Sequence, residues 1–187
     1  LVMPELIRNP EPGEESEIRS WARHDVYLGL ASGAKGVCIF SLFKRKEVRQ
    51  TWQLWYDAYA ECGRELNGPR SLAQVFLFGE RRSDTKIELV KGGGAAIVKL
   101  GGVMEPATTS DRERAAREIK MPSWTAAEFL HKGNRYLFLI NSANSAATFR
   151  VETNNRLEDV FDGAPLTLDR GSLTLPAYGV AGIRITK

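Results

Sequence analysis

Few residues in this chain have side chains suited to chemistry, and they are scattered. Glu5 sits near the end of the apolar run Leu1–Leu6, and Arg8 and Asn9 follow in a loop. A longer apolar run, Gly36–Phe43, contains Ser41, ends in Phe43 and opens into Lys44 and Arg45. A carboxylate can attack, exchange a proton or accept hydrogen bonds. Arginine, lysine and asparagine can grip hydroxyls or anions, and a phenyl ring can stack on an apolar face. His24 and Asp25 are neighbours, but the one other histidine, His131, lies far along the chain, so no metal-ligand spacing arises. Cys38 and Cys62 fall in apolar-patterned segments and are expected as buried thiols rather than a bridge. Gly92-Gly93-Gly94 lacks the Lys-Ser/Thr and the helix start that a phosphate loop requires. Neither a metal nor a cofactor is expected.

Composition narrows the class further. The chain has 187 residues, 43% hydrophobic and 26% charged, with a net charge of +3. That charge is too small to argue for nucleic acid, and no basic run is interleaved with aromatics as a nucleic-acid face requires. Lys44-Arg45-Lys46, with Arg49 beyond, reads as a solvated loop at a helix start. No apolar run reaches the ~18–20 residues of a membrane span. The opening Leu1-Val2-Met3 reads as the middle of a buried strand, so further polypeptide is expected upstream, and the compartment stays open.

The texture of the chain changes near Ser71–Asp84. Before it, strand and helix patterns alternate: a strand at Leu1–Leu6, a loop at Arg8–Gly13, a helix at Glu14–Ser32, a strand at Gly36–Phe43 and a helix at Glu47–Leu66. Gly33 is placed for a left-handed helix cap. Val48, Trp52, Trp55, Tyr59, Cys62 and Leu66 recur at helical spacing, and Trp21, Trp52 and Trp55 read as packing residues. Ser71–Phe78 is expected as one more short helical segment. After the boundary come short strands parted by turn residues, and Lys132-Gly133-Asn134 and Asn154-Asn155 read as hairpin connections. Val103–Ala115 reads as a polar excursion. The expected domains are 1–70, a linker with a short helix at 71–83, and 84–187. The expected fold class is α/β plus all-β. Two parallel strands and two helices cannot shield themselves, so the first part needs further barrel strands, another chain, or close packing on the second part.

Three stretches carry a resemblance. Tyr27-Leu28-Gly29-Leu30-Ala31-Ser32-Gly33-Ala34-Lys35-Gly36-Val37-Cys38-Ile39-Phe40-Ser41 resembles the turn from the seventh helix into the last strand of (β/α)8-barrel glycoside hydrolases. In that pattern Gly33 caps the helix and Gly36 lets the strand enter the barrel floor. Leu173-Thr174-Leu175-Pro176-Ala177-Tyr178-Gly179-Val180-Ala181-Gly182-Ile183-Arg184-Ile185 is similar to the closing hairpin of the β-sandwich that follows such barrels. Arg135–Ser142 resembles that domain's central strand, which ends in an Asn at a turn.

The resemblance implies the C-terminal quarter of a (β/α)8 barrel followed by an antiparallel β-sandwich. It implies that Glu5, at the end of strand seven, is the nucleophile of a retaining glycosidase. It also implies that Arg8, Asn9, Phe43, Lys44 and Arg45 line the substrate mouth, and that His24 and Asp25 lie outside the barrel with no catalytic part. The residues themselves also allow Glu5 as a substrate-binding or merely solvated carboxylate. A lone carboxylate cannot both protonate the leaving group and attack the sugar, and the strand-four acid/base is absent, so the isolated chain is expected to be inactive. The implied partners are a carbohydrate and the remainder of the barrel. The alternative is a non-catalytic sandwich that binds glycan, for which Trp124 is the best exposed-aromatic candidate, or that braces a partner chain.

Overall fold

The structure, a computed structural model, describes residues 1–4, 10–39, 50–93, 96–99 and 118–186. A short 3-10 turn at Glu15–Glu17 leads into helix α1 (Ile18–Ala31); α2 (Trp52–Asn67) and α3 (Leu72–Phe78) follow. On α1, Ile18, Ala22, Val26 and Leu30 recur every four residues and are buried as one stripe. Gly33 ends α1 in the left-handed region (φ +107), and the Ala34 N–H returns to the Gly29 carbonyl at 3.0 Å. The second helix begins at Trp52 rather than Glu47, with Gln50 and Thr51 in a turn before it and residues 47–49 outside the described set.

The described strands are β1 (Glu80–Arg82), β2 (Lys86–Lys91), β3 (Ala96–Lys99), β4 (Glu118–Met121), β5 (Trp124–His131), β6 (Asn134–Asn141), β7 (Ala147–Glu152), β8 (Arg156–Asp159), β9 (Pro165–Leu166), β10 (Ser172–Leu175) and β11 (Val180–Thr186). They form a six-stranded sheet of order β1-β5-β6-β11-β8-β9, a three-stranded sheet β10-β7-β2 and the hairpin β3-β4. Every ladder is antiparallel.

Strand β6 shows how the layers stack. Phe138 and Ile140 point to the helices and join one apolar cluster with Tyr27, Trp55 and Phe76. Leu137 and Leu139 alternate to the other face and pack with Val151, Phe149 and Leu175 beneath the small sheet. The six-stranded sheet is therefore the middle layer, helices on one side and a sandwich partner on the other. This two-sided burial explains why the run Tyr136–Ile140 is almost wholly apolar. The helix-side cluster crosses the boundary near residue 80 without a break, so close packing on the sandwich covers part of the first half's apolar surface.

Several sequence expectations are corrected here. The β5–β6 hairpin does turn at Lys132-Gly133, both at positive φ (49° and 76°), a turn that matches the strands' twist. Asn154-Asn155, in contrast, makes no hairpin: β7 and β8 belong to different sheets, so the segment is a crossing between layers. The closing stretch is likewise no hairpin. β10 lies in the small sheet and β11 in the large one, and Pro176–Gly179 carries the chain between them. Glu80–Arg82, expected as linker, is an edge strand on β5. Its three exposed residues carry no apolar signal, because an edge strand needs only backbone pairing.

The start of the chain forms one parallel bridge, Val2 to Val37. The Val2 N–H donates to the Gly36 carbonyl at 2.9 Å, and the Cys38 N–H donates to the Val2 carbonyl at 3.0 Å. Helix α1 is the crossover between these segments, as a parallel pair requires. Val2 seats on α1 at Gly29, where any Cβ would stand 2.6 Å from the Val2 Cβ. The close approach lies there rather than at Gly36, where a Cβ would meet only the Leu1 Cδ1 at an ordinary 3.5 Å. The far side of the pair is bare: Leu1 is 79% exposed, Met3 58%, and Cys38 is exposed rather than buried. No barrel is formed among the described residues.

Candidate functional site

The sequence-derived site residues Glu5, Arg8, Asn9, Phe43, Lys44 and Arg45 all lie outside the described residues. What the structure fixes is the base from which those segments leave. Parallel pairing at Val2–Val37 makes both described segments run the same way, so Pro4 and Ile39 lie toward the same edge of the pair. In parallel α/β folds, the carboxyl edge of the strands is where sites assemble.

Among the described residues, one polar assembly is the seam between α1 and α2. Arg19 pairs with Glu61, and Arg23 pairs with Glu65 and reaches Glu61 at 3.8 Å. The second Glu65 oxygen accepts the Tyr27 hydroxyl at 3.0 Å, and the Arg23 guanidinium lies 4.4 Å over the Phe161 ring. Burial, followed by the Glu65 charge, pushes Tyr27 well above the usual phenol range, so it stays a neutral donor. Two carboxylates one helical turn apart would be an attractive acid/base pair. Here both Glu65 oxygens and one Glu61 oxygen are already engaged, so the seam joins two helices rather than offering a proton. The sequence carries a signal for this seam: basic residues four apart on α1 face acidic residues four apart on α2.

A second assembly has the outline of a hydrolytic relay. The His24 Nε2 lies 2.9 Å from the Ser142 Oγ, and Nδ1 lies 3.1 Å from the Asp25 Oδ1. Tyr178 packs edge-on against the imidazole at 5.6 Å. Acyl transfer also needs donors for an oxyanion, and the surrounding ones are spent. The Ser142 N–H donates to the Ser123 carbonyl, the Ala143 N–H to the Asn141 Oδ1, the Tyr178 N–H to the Ala143 carbonyl, and the Gly179 N–H to the Pro176 carbonyl. The Asn141 amide is also committed, to the Ser145 and Pro176 carbonyls at 2.8 and 2.7 Å. The geometry therefore makes a joint that locks α1 to the end of β6. Residues 118 apart in sequence give no spacing by which it could have been found.

Among the described residues of the sandwich, no aromatic side chain is fully exposed. Trp124 is half-buried and packs on Phe149 at 5.5 Å inside the sandwich. Phe129, Phe138 and Phe149 are buried, and Tyr136 and Phe161 pack on the helix-side cluster. The sequence from 94 to 121 contains no aromatic residue. The outer face of the small sheet carries instead the Lys86–Glu152 and Arg150–Glu88 ion pairs and the Thr148–Thr174 hydroxyl contact. No group of three or more His, Cys, Asp or Glu side chains among the described residues is placed to hold a metal ion. No described helix is long and apolar enough to cross a membrane.

No family model and no curated protein matches this chain. Solved structures match it in part. A β-galactosidase from Bacillus circulans sp. alkalophilus is 27% identical over 35% of this chain and 9% of its own, with a TM-score of 0.30. An α-amylase from Geobacillus thermoleovorans, complexed with acarbose, is 8% identical over 91% of this chain and 34% of its own, with a TM-score of 0.49. The noncanonic maltogenic α-amylase AmyB from Thermotoga neapolitana is 10% identical over 99% of this chain and 41% of its own, with a TM-score of 0.36. The chain thus spans less than half the length of each, and these are partial likenesses.

Proposed function

We propose that this chain is the C-terminal region of a glycoside hydrolase, contributing the last two strands of a barrel and the sandwich that follows. The observation that carries the reading is the parallel Val2–Val37 bridge, packed on α1 by one face and bare on the other. A soluble fold has no use for a two-strand parallel unit with Leu1 and Met3 in water unless further strands cover them. The glycosidase assignment itself comes from the sequence resemblance around Gly33–Ser41 and along the closing strands. In this reading Glu5 is the nucleophile and Arg8, Asn9, Phe43, Lys44 and Arg45 contact the sugar. The acid/base comes from the remainder of the barrel, because protonation and attack need separate carboxyls about 5–5.5 Å apart.

A second reading, a bracing module without chemistry, is favoured by the unbroken apolar cluster between helices and sheet. Hydrolysis of aryl glycosides separates the two. The 187-residue chain alone is expected to be inactive, and the chain extended upstream active, with Glu5→Gln abolishing turnover while substrate binding persists. Turnover by the short form refutes the reading of the chain as an incomplete barrel, and no turnover by either form refutes the glycosidase reading. Unchanged turnover in the Glu5→Gln variant removes Glu5 from the mechanism.

A further inference from the structure

We propose that the cavity between α1, α2 and α3 is a binding site for a small uncharged organic molecule. Its ligand has an aromatic or alicyclic body and one carbonyl or ether oxygen, which accepts a hydrogen bond from the Tyr59 hydroxyl. The site is separate from the sugar chemistry proposed above and does not rest on it. The cavity holds about 350 Å³, in the range of small-ligand sites, and Val26, Leu30, Val37, Leu66 and Phe76 wall it with hydrocarbon. Tyr59 shares that wall and is only 5% exposed, yet its hydroxyl has no hydrogen-bond partner. Buried polar groups without partners are rare in folded proteins and cost stability, so this one marks a place still short of an acceptor.

The chemistry of the wall sets the ligand class. Burial, followed by the Asp25 charge, pushes Tyr59 above the usual phenol range, so the hydroxyl keeps its proton and can donate. Two other polar groups of the wall are committed: the Lys35 Nζ donates to the Phe76 carbonyl at 2.6 Å, and the Asn67 amide donates to the Gly63 carbonyl at 3.1 Å. Lys35 is exposed, and no carboxylate stands among the described lining residues. An ion entering the cavity would therefore give up its hydration for no close, free counter-charge. Water is a poor occupant, because a buried water needs several polar partners and these walls are mostly hydrocarbon. A molecule with an apolar body and one acceptor fills the volume and satisfies the hydroxyl together.

The test crosses two probes with two proteins. Acetophenone and ethylbenzene have nearly the same shape, and only acetophenone carries an acceptor. Each is titrated into the 187-residue chain and into its Tyr59→Phe variant, with the methyl resonances of Val26, Leu30 and Leu66 reporting on the cavity. The unaltered chain should bind acetophenone about five- to tenfold more tightly than ethylbenzene, the worth of one buried hydrogen bond. Tyr59→Phe should bind both alike, and its Tm should stay level or rise, because only an unpaired hydroxyl is removed. Three binding results overturn the proposal: no shift of those methyls with either probe, equal affinity of the unaltered chain for both, or an acetophenone preference that survives in Tyr59→Phe. A fall in Tm for Tyr59→Phe also overturns it, since the hydroxyl would then already have a partner. None of these readouts involves glycoside turnover, so failure here leaves the glycosidase reading standing, and the reverse holds too.

Discussion

Glu128 shows how single residues hold this fold in register. It is 4% exposed on β5 and accepts the Thr85 N–H at 2.8 Å, the Thr85 hydroxyl at 3.1 Å and the Arg135 Nε at 2.7 Å. Burial acts to raise the Glu128 pKa; the Thr85 N–H, the Arg135 guanidinium and the Thr85 hydroxyl outweigh it and hold the carboxyl below the usual range. A depressed native pKa contributes stability that is complete above the unfolded value, about 4.3, and is lost as pH falls through the native one. Urea midpoints measured from pH 7 down to pH 2 should therefore fall on the acid side. Glu128→Gln should lower the midpoint at pH 7 and flatten that acid limb; an equally steep limb in the variant would show that Glu128 does not cause it. The exposed Lys86–Glu152 and Arg150–Glu88 pairs are solvated and should contribute little by comparison. None of this was legible in sequence, where Glu128 is one acidic residue among many and its partners lie 43 residues back and 7 ahead. Gly33 was legible, because a helix that must stop and turn asks for a left-handed residue.

Among the elements, legibility followed periodicity. Helix α1, helix α2 and the strands β10 and β11 stand where their apolar spacing puts them. Strand pairing did not follow, since Asn and Gly at a turn give the chain a bend without saying which sheet the next strand joins. That is why Asn154-Asn155 and Pro176–Gly179 resembled hairpin turns and are crossings between layers. The packing of α1 on the first strand was hidden for another reason: Gly29 is one residue in a good helix, and its role depends on Val2 pressing against it. Replacing a mid-helix glycine with alanine ordinarily stabilises by about 0.5–1 kcal/mol. At Gly29 the added methyl must displace Val2, an overpacking cost of roughly 1–3 kcal/mol. Gly29→Ala should thus lower Tm, whereas Gly63→Ala, with nothing within 4 Å of its Cβ position, serves as the control and should not. A rise in Tm for Gly29→Ala would mean that the strand is not held against α1.

At the scale of the whole molecule, the three layers account for nearly all the large buried side chains, and one region stands apart from them. The far face of the Val2–Val37 pair presents Leu1, Met3 and Cys38 to solvent, although its sequence has the character of a strand buried on both sides. The two cysteines report on this directly. Cys62 is buried, and burial together with the Glu65 charge pushes its thiol up to about 12, so it should not react under native conditions. Cys38 is exposed. The decisive measurement is the rate of native-state thiol labelling in the 187-residue chain and in the form extended upstream. Cys38 should label readily in the short form and become protected in the extended one, as further parallel strands cover its face. Equal labelling of Cys38 in both forms would contradict the reading of this chain as the end of a barrel.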